Sequence, residues 1–308
     1  MKIEKSKRNK SSSVSKKEVL SYNFMVLPGM LVVFVFSIIP LFGFVIAFQN
    51  YIPAKGIFGS KWVGLENFLY MFMIPDSWQV LSNTIIIAVS KMFAGIIVPV
   101  LFALMLIEIK LRKYKRIVQT VVYMPYFLSW VILASVFTNL LSVDGVVNQL
   151  VQAFGGDSVM FLGSNKWFQP MMIITDVWKN FGYAAIIYLA ALTSIDYNLY
   201  EAAAIDGATH IKQIWHITLP AIIPTVVLMG TLSLGNILNA GFDQVFNLYN
   251  PVVYKTGDII DTYVYRMGLV DMQFSFGTAV GFLKSVVSFI LITVSYYLSD
   301  RYAGYRIF

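Results

Sequence analysis

An all-α membrane bundle of six spanning helices is the fold this sequence predicts, and three observations carry the prediction. Apolar residues make up 58% of the 308 residues, more than one soluble core could hide. Charged residues amount to only 13%. Apolar runs of about twenty residues, the length that crosses roughly 30 Å of hydrocarbon, fall near 24–48, 79–107, 118–141, 168–192, 218–240 and 274–298. Helices are the expected form because each satisfies its own backbone in lipid, and the roughly ten-residue alternating segments of a closed barrel are absent.

Taken in chain order, residues 1–20 form a Lys- and Ser-rich tail expected to lack structure, and 21–308 the membrane domain. The first apolar run follows this basic tail as a secretory leader would. It is too long and lacks a small-residue cleavage pattern, so it reads as a retained span. Pro28 and Pro40 lie in span one, Pro99 in span two, Pro224 in span five, and Gly277-x-x-x-Gly281 in span six. Prolines bend helices and paired glycines let them approach, as expected of a bundle that packs against another and moves. The outer loops, 49–78, 142–167 and 241–273, carry Trp62, Trp167, several tyrosines and turn residues, which suit either an interfacial belt or a surface for an external partner.

Charge fixes the expected orientation. Of the 23 Lys and Arg, fifteen fall in the tail, in the 108–117 loop, between spans four and five, and after span six. Five fall in the opposite loops, and Lys91, Lys179 and Lys284 lie inside spans. The positive-inside rule then places both termini in the cytoplasm. The net charge of +7 is therefore a topology signal and an attraction to anionic lipid, with no nucleic acid implied. The absence of cysteine excludes disulfides, thiol catalysis and cysteine-based metal sites.

Between spans four and five lies a polar, helix-forming segment, EAAAIDGATHIKQIWHITLP, from Glu201 to Pro220. Asp196 can cap a helix from Tyr197 to about Asp206, favoured by Ala202, Ala203 and Ala204. Gly207 can end it in the left-handed conformation, and a second short helix over 209–217 would lead through Leu219-Pro220 into span five. The expected product is an elbow, 197–217, beneath the membrane that fits a groove on a soluble partner. An ordinary amphipathic interfacial helix is the plainer alternative.

The skeleton Glu201-Ala202-Ala203, Gly207, Ile217, Leu219-Pro220 resembles the EAA motif by which permeases of ATP-binding-cassette importers engage their ATPase. The stretches IPLFGFVIAFQNYIPAKGIFGSKWVGLENF (39–68), KRIVQTVVYMPYFLSWV (115–131), VWKNFGYAAIIYLAALTSID (177–196) and GFDQVFNLYNPVVYKTGDIIDTYVYRMGL (241–269) extend the likeness over residues 20–308. The chain resembles the type I ABC carbohydrate importer permeases, in the LplB-like polysaccharide branch. That resemblance implies a multi-pass subunit of the bacterial cell membrane working by alternating access. It implies as partners a second homologous permease, a cytoplasmic ABC ATPase dimer that binds ATP-Mg, an extracellular sugar-binding lipoprotein and an oligosaccharide. It also implies that Glu201, Ala202, Ala203, Gly207 and Pro220 occupy the coupling positions.

Span four carries Asp176, Lys179 and Asn180 at i, i+3 and i+4, hence on one face. A charge at that depth costs about 2.5–3.5 kcal/mol on insertion scales, so each needs a partner or water. Two readings follow: a hydrated pathway that bonds sugar hydroxyls, bordered by Trp178 and Tyr183, or an Asp176–Lys179 pair that fixes packing. If Lys91 and Lys284 face the same cavity, the pathway is net cationic and favours acidic sugars. Each could instead pair with an acidic residue of a second permease.

No G-x-x-x-x-G-K-[ST] loop occurs, so neither ATP hydrolysis nor a bound cofactor is expected of this chain. Ser13-x-x-Lys16 and Lys255-Thr256-Gly257 imitate penicillin-binding signatures but lie on opposite sides of the membrane. His210 and His216 lack a metal-ligand pattern and read as surface residues. The rival function is a membrane-embedded enzyme of polysaccharide chemistry, for which Asp243, Asp258, Asp261 and Asp271 are the available carboxylates, without a catalytic spacing. A channel is disfavoured by the lack of a repeated pore motif.

Overall fold

The computed structural model describes residues 16–303, with side-chain burial for 19–297. The basic tail therefore lies outside the described residues apart from its end, where helix α1 (Lys16–Val33) has already begun. This helix runs on through a π-helical turn at Phe34–Ile38 and a 3₁₀ segment at Ile39–Phe48. Pro40, which has no N–H to give, stands at the change of pitch. Strands β1 (Gln49–Asn50) and β2 (Lys61–Trp62) pair antiparallel, Gln49 opposite Trp62. Between them sits the single turn α2 (Gly56–Gly59).

The short α3 (Glu66–Met73) leads into α4 (Pro75–Ile107), which starts on Pro75, where a missing N–H costs nothing. Next, α5 (Arg112–Tyr123) passes through a 3₁₀ turn at Met124–Phe127 into α6 (Trp130–Leu140), and the path bends by 105° at the break. The single straight span expected over 118–141 is thus two pieces: Pro125 sits in the first and Ser129 caps the second, its Oγ accepting from Ile132 N at 3.4 Å. Next, α7 (Val146–Ala153) precedes α8 (Phe168–Thr193). The elbow comprises α9 (Asn198–Ile205), α10 (His210–Gln213) and a π-helical turn at Ile214–Thr218, which continues as α11 (Leu219–Leu234). The chain closes with α12 (Phe242–Leu248), α13 (Tyr254–Gly257), α14 (Ile260–Tyr265) and the long α15 (Phe274–Ala303).

Among the described residues, four helices are long and apolar enough to cross a membrane: Val19–Phe48, Pro75–Ile107, His210–Leu234 and Phe274–Tyr297. The bent pair raises that to five. Helix α8 is 26 residues long, but Asp176, Lys179 and Asn180 keep it out of the apolar set, so six spans are not established by length and composition.

Exposed leucines, valines and phenylalanines along α1, such as Leu27, Leu31 and Phe36, are what a lipid-facing helix presents. Two clusters build the bundle interior. One, around Leu106, Tyr188, Leu192 and Ile222, joins α4, α8 and α11. The other, around Ile87, Phe168, Met172, Val245 and Ile259, joins α4 and α8 to the connecting segments 141–161 and 240–259.

The second of those segments dips between the helices, where its backbone must find partners. Asn83 Nδ2 donates to the carbonyls of Lys255 and Asp258, each at 3.1 Å, and Gln169 Nε2 donates to that of Thr256 at 2.9 Å. The amide of Ile260 donates to Thr84 Oγ1 at 2.9 Å. Gly257 is required here, since a Cβ would stand 2.4 Å from the Phe168 ring. Close approach also explains Gly277, packed 2.7 Å from Gly268 when given a Cβ, whereas Gly281 faces open space. The glycine pair of span six therefore serves packing within this chain at its first member only.

Candidate functional site: a mid-bundle polar cavity and a projecting elbow

Where α11 ends, the chain leaves helical form in a run of turns: Asn236 N donates to Ser233 O at 3.0 Å, and Asn239 N to Asn236 O at 2.8 Å. This unwound stretch, with α4 and α8, bounds a cavity of about 410 Å³. Ser233, Asn236 and Asn239 put hydroxyl and amide groups on its wall, alongside Lys91 and Asp176.

Lys91 stands at the midpoint of α4 and is 9% exposed. Its Nζ lies 3.6 Å from Asp176 Oδ1 on α8 and donates to Ala240 O at 2.6 Å and to Gln244 Oε1 on α12. The other end of Gln244 is also held, its Nε2 donating to Met172 O at 2.8 Å and Thr175 Oγ1 at 2.7 Å. One ammonium thus ties three elements together. Burying a charge without such pairing would cost several kcal/mol. Gly241 completes the node: its φ is +94°, and a Cβ there would come 3.0 Å from Lys91 Nζ.

The shared face expected of Asp176 and Lys179 divides. Asp176 pairs with Lys91, whereas Lys179 turns to the α5–α6 break, donating to Tyr126 O at 2.7 Å and lying 5.4 Å and 5.8 Å from the rings of Tyr126 and Trp130. The broken helix leaves carbonyls without an i+4 partner, and the ammonium occupies one of them. Asn180 is half-buried nearby. Tyr183 already stacks on Tyr126 at 3.9 Å, and Trp178 meets Phe137 edge-on at 5.5 Å, each leaving about half of its surface open. Lys284 does not reach the polar cavity; it pairs with Asp261 of the same chain and borders a separate apolar groove. Lys91 and Asp176 therefore line the cavity, and Trp178, Lys179, Asn180, Tyr183 and Lys284 do not.

Ser233, Asn236, Asn239, Gly241 and Gln244 were not singled out by sequence reasoning. The signal available was a cluster of Ser, Gly and Asn, SLGNILNAG, at the end of an apolar run.

At the other end of α11 the elbow takes the expected form in its first half. Asn198 N donates to Asp196 Oδ1 at 3.0 Å, Gly207 has φ +75°, and Ala208 N returns to Ala203 O at 2.9 Å. Its second half differs from the expected separate helix over 209–217, because His210 to Leu234 forms one continuous span through the π-helical turn. The second arm of the elbow and α11 are therefore one helix. Tyr200 Oη and Thr218 Oγ1, 2.9 Å apart, brace the two arms, and His210 Nε2 lies 3.3 Å from Glu108 at the end of α4. His216 lies exposed on the elbow. Glu201, Ala202, Gly207 and Pro220 are exposed, and Ala203 is half-buried. Ile205, Ile211 and Trp215 add exposed apolar surface.

Residues 95–304 match the family described as binding-protein-dependent transport system inner membrane component. The chain belongs to that family. Its relatives include the polygalacturonan/rhamnogalacturonan transport system permease protein YteP of Bacillus subtilis (strain 168), 43% identical over 279 residues, covering 90% of this chain and 87% of the relative. Protein LplB of the same organism is 40% identical, covering 90% of this chain and 88% of its own. Among solved structures, a chain of a bacterial ABC transporter involved in the import of the acidic polysaccharide alginate superposes with a TM-score of 0.85 at 36% identity, covering 93% of this permease and 97% of that chain. The same transporter in complex with its alginate pentasaccharide-bound periplasmic protein gives 0.84 at 36% identity over 93% and 96% of the two chains. This permease is a transport subunit of an ABC importer for sugars, a multi-pass protein of the cell membrane.

Proposed function

We propose that the permease passes oligosaccharides through the cavity beside Lys91 by alternating access, driven by an ATPase docked on the elbow Asn198–Thr218. The continuous helix from His210 to Leu234 carries this reading, because it joins the docking surface to the unwound cavity wall in one rigid element. Rotation at Gly207 would move Ser233, Asn236 and Asn239 against α4 and α8, opening the cavity to one side and then the other. Both termini and the elbow lie in the cytoplasm in this reading, as the basic excess on those segments supports. The partners are a second permease completing the pathway, an ABC ATPase dimer holding ATP-Mg, and an extracellular sugar-binding lipoprotein. The alginate importer complexed with its periplasmic protein supports that assembly by analogy.

Hydroxyl and amide groups at Ser233, Asn236 and Asn239 suit sugar hydroxyls. A substrate carboxylate would meet Lys91, but only by competing with Asp176. The coupling residues are Glu201, Ala202, Ala203, Gly207 and Pro220. An Ala203→Asp chain should insert at wild-type level while ATPase copurification and uptake fall at least tenfold, since a charge enters a close-fitting helix face. Wild-type copurification and uptake in this variant would remove the elbow from the coupling path.

A further inference from the structure

Gln244 on α12 is fully buried, and its neighbours fix which way its amide points. Its Nε2 donates to Met172 O at 2.8 Å and to Thr175 Oγ1 at 2.7 Å. The Thr175 hydroxyl has its own hydrogen committed to Met171 O at 2.6 Å, so toward Gln244 it can only accept. The amide oxygen must therefore face the other way, onto the Lys91 ammonium. An ammonium has three protons to place. One goes to Gln244 Oε1 and one to Ala240 O at 2.6 Å, both uncharged acceptors on the chain that follows α11. Asp176 Oδ1 stands 3.6 Å away, an ion pair longer than a hydrogen bond. Lys91 is the one charge paired with this carboxylate among the described residues, and both side chains lie on the wall of the polar cavity.

We propose, on the reading of this cavity as the sugar pathway, that Gln244 is a positioning residue that keeps Asp176 open to the substrate, and that Asp176 accepts a pair of neighbouring sugar hydroxyls. Two uncharged acceptors hold the ammonium back from the carboxylate. Without Gln244 Oε1 the ammonium would close on Asp176 and fill the acceptor that a sugar would use. Charge selects hydroxyls over a substrate carboxylate at this point of the wall. An ionised carboxylate accepts and does not donate, so a second carboxylate set beside it is repelled. Adjacent hydroxyls of a pyranose can instead donate one bond to each oxygen of Asp176. The carboxyl groups of an acidic sugar must then point away from Asp176.

The test uses the full-length permease with its partner subunits in detergent, where a probe reaches the cavity from either side. The chain has no native cysteine, so Leu232→Cys on the cavity wall gives it a single thiol, and sugar in the cavity should slow labelling of that thiol by a small maleimide. The probes are tri-galacturonate and its methyl ester, which share ring hydroxyls and differ in charge. In the Leu232→Cys parent the ester should protect at least as well as the acid. Gln244→Met and Asp176→Asn should each raise the ester's half-protecting concentration at least fivefold at unchanged membrane level. Together they should raise it no further than Asp176→Asn alone, because Gln244 acts through Asp176; separate structural roles would multiply the two factors. Where Gln244→Met fails to insert, Gln244→Glu returns an oxygen to the ammonium and should hold the ester within threefold of the parent; loss of insertion in both makes Gln244 a packing residue and overturns the proposal. Multiplied factors, parent-level protection in Gln244→Met, or an acid that protects tenfold better than its ester also overturns it, with the cavity still in the pathway. No protection of the parent by either probe removes the pathway reading itself, and this inference with it.

Discussion

Lys91 shows how one side chain can decide a membrane site, because it pairs with the carboxylate of Asp176 and donates to the carbonyl of Ala240 and the amide oxygen of Gln244. Removing the ammonium leaves the half-buried Asp176 carboxylate, Ala240 O and Gln244 Oε1 without their shared partner. Breaking a buried pair from one side costs about 3–5 kcal/mol. Lys91→Met should therefore lower membrane-inserted protein and uptake together, and adding Asp176→Asn should restore the inserted level while uptake stays at least tenfold down. Recovery of uptake in the double variant would make the pair purely structural. The charges inside spans were legible in the sequence because any charge in an apolar run demands a partner. The partner was not: Lys91 and Asp176 are far apart in the chain, and only the packing of α4 on α8 joins them. Gly207 was legible for the opposite reason, since its positive φ is a local demand that glycine meets alone.

At the scale of elements, the elbow and the α5–α6 break show which boundaries a sequence reveals. Caps and left-handed turns are written in a few adjacent residues, so α9 was read within a residue or two. The break at Leu128–Ser129 was hidden, because Pro125 in an apolar run fits a kinked helix as well as a 105° turn. Lys179 on the Tyr126 carbonyl and the Tyr126–Tyr183 stack are tertiary consequences of that turn. Contact of α5 with α8 depends on Gly182, where a Cβ would stand 2.4 Å from the Val122 carbonyl. Gly182→Leu should push the two helices apart and lower thermal stability by about 1–3 kcal/mol, as overpacking does, with a matching loss of folded protein measured by size-exclusion fluorescence. A wild-type melting profile would show that the approach is not needed.

For the whole molecule, orientation, cavity and elbow must agree if the subunit is to convert ATP hydrolysis into sugar movement. Reporters after Phe308 and at Arg112 should read cytoplasm, and one within 142–167 should read outside. Opposite labelling would put the elbow on the wrong face and end the coupling argument. Six spans were expected from apolar runs, yet among the described residues four helices, or five with the bent pair, meet the length and composition of a span. The shortfall lies where polar residues serve a site, in α8, and where the chain turns, at α5–α6. The most direct measurement reconstitutes the permease in proteoliposomes with its partner permease, ATPase and sugar-loaded binding protein, and follows oligosaccharide uptake beside ATP hydrolysis for wild type and Gly207→Asp. Uptake that requires ATP and a stimulated hydrolysis rate, both lost at least tenfold in the variant, is the predicted result; uptake that proceeds without ATP, or a variant indistinguishable from wild type in both rates, would contradict it.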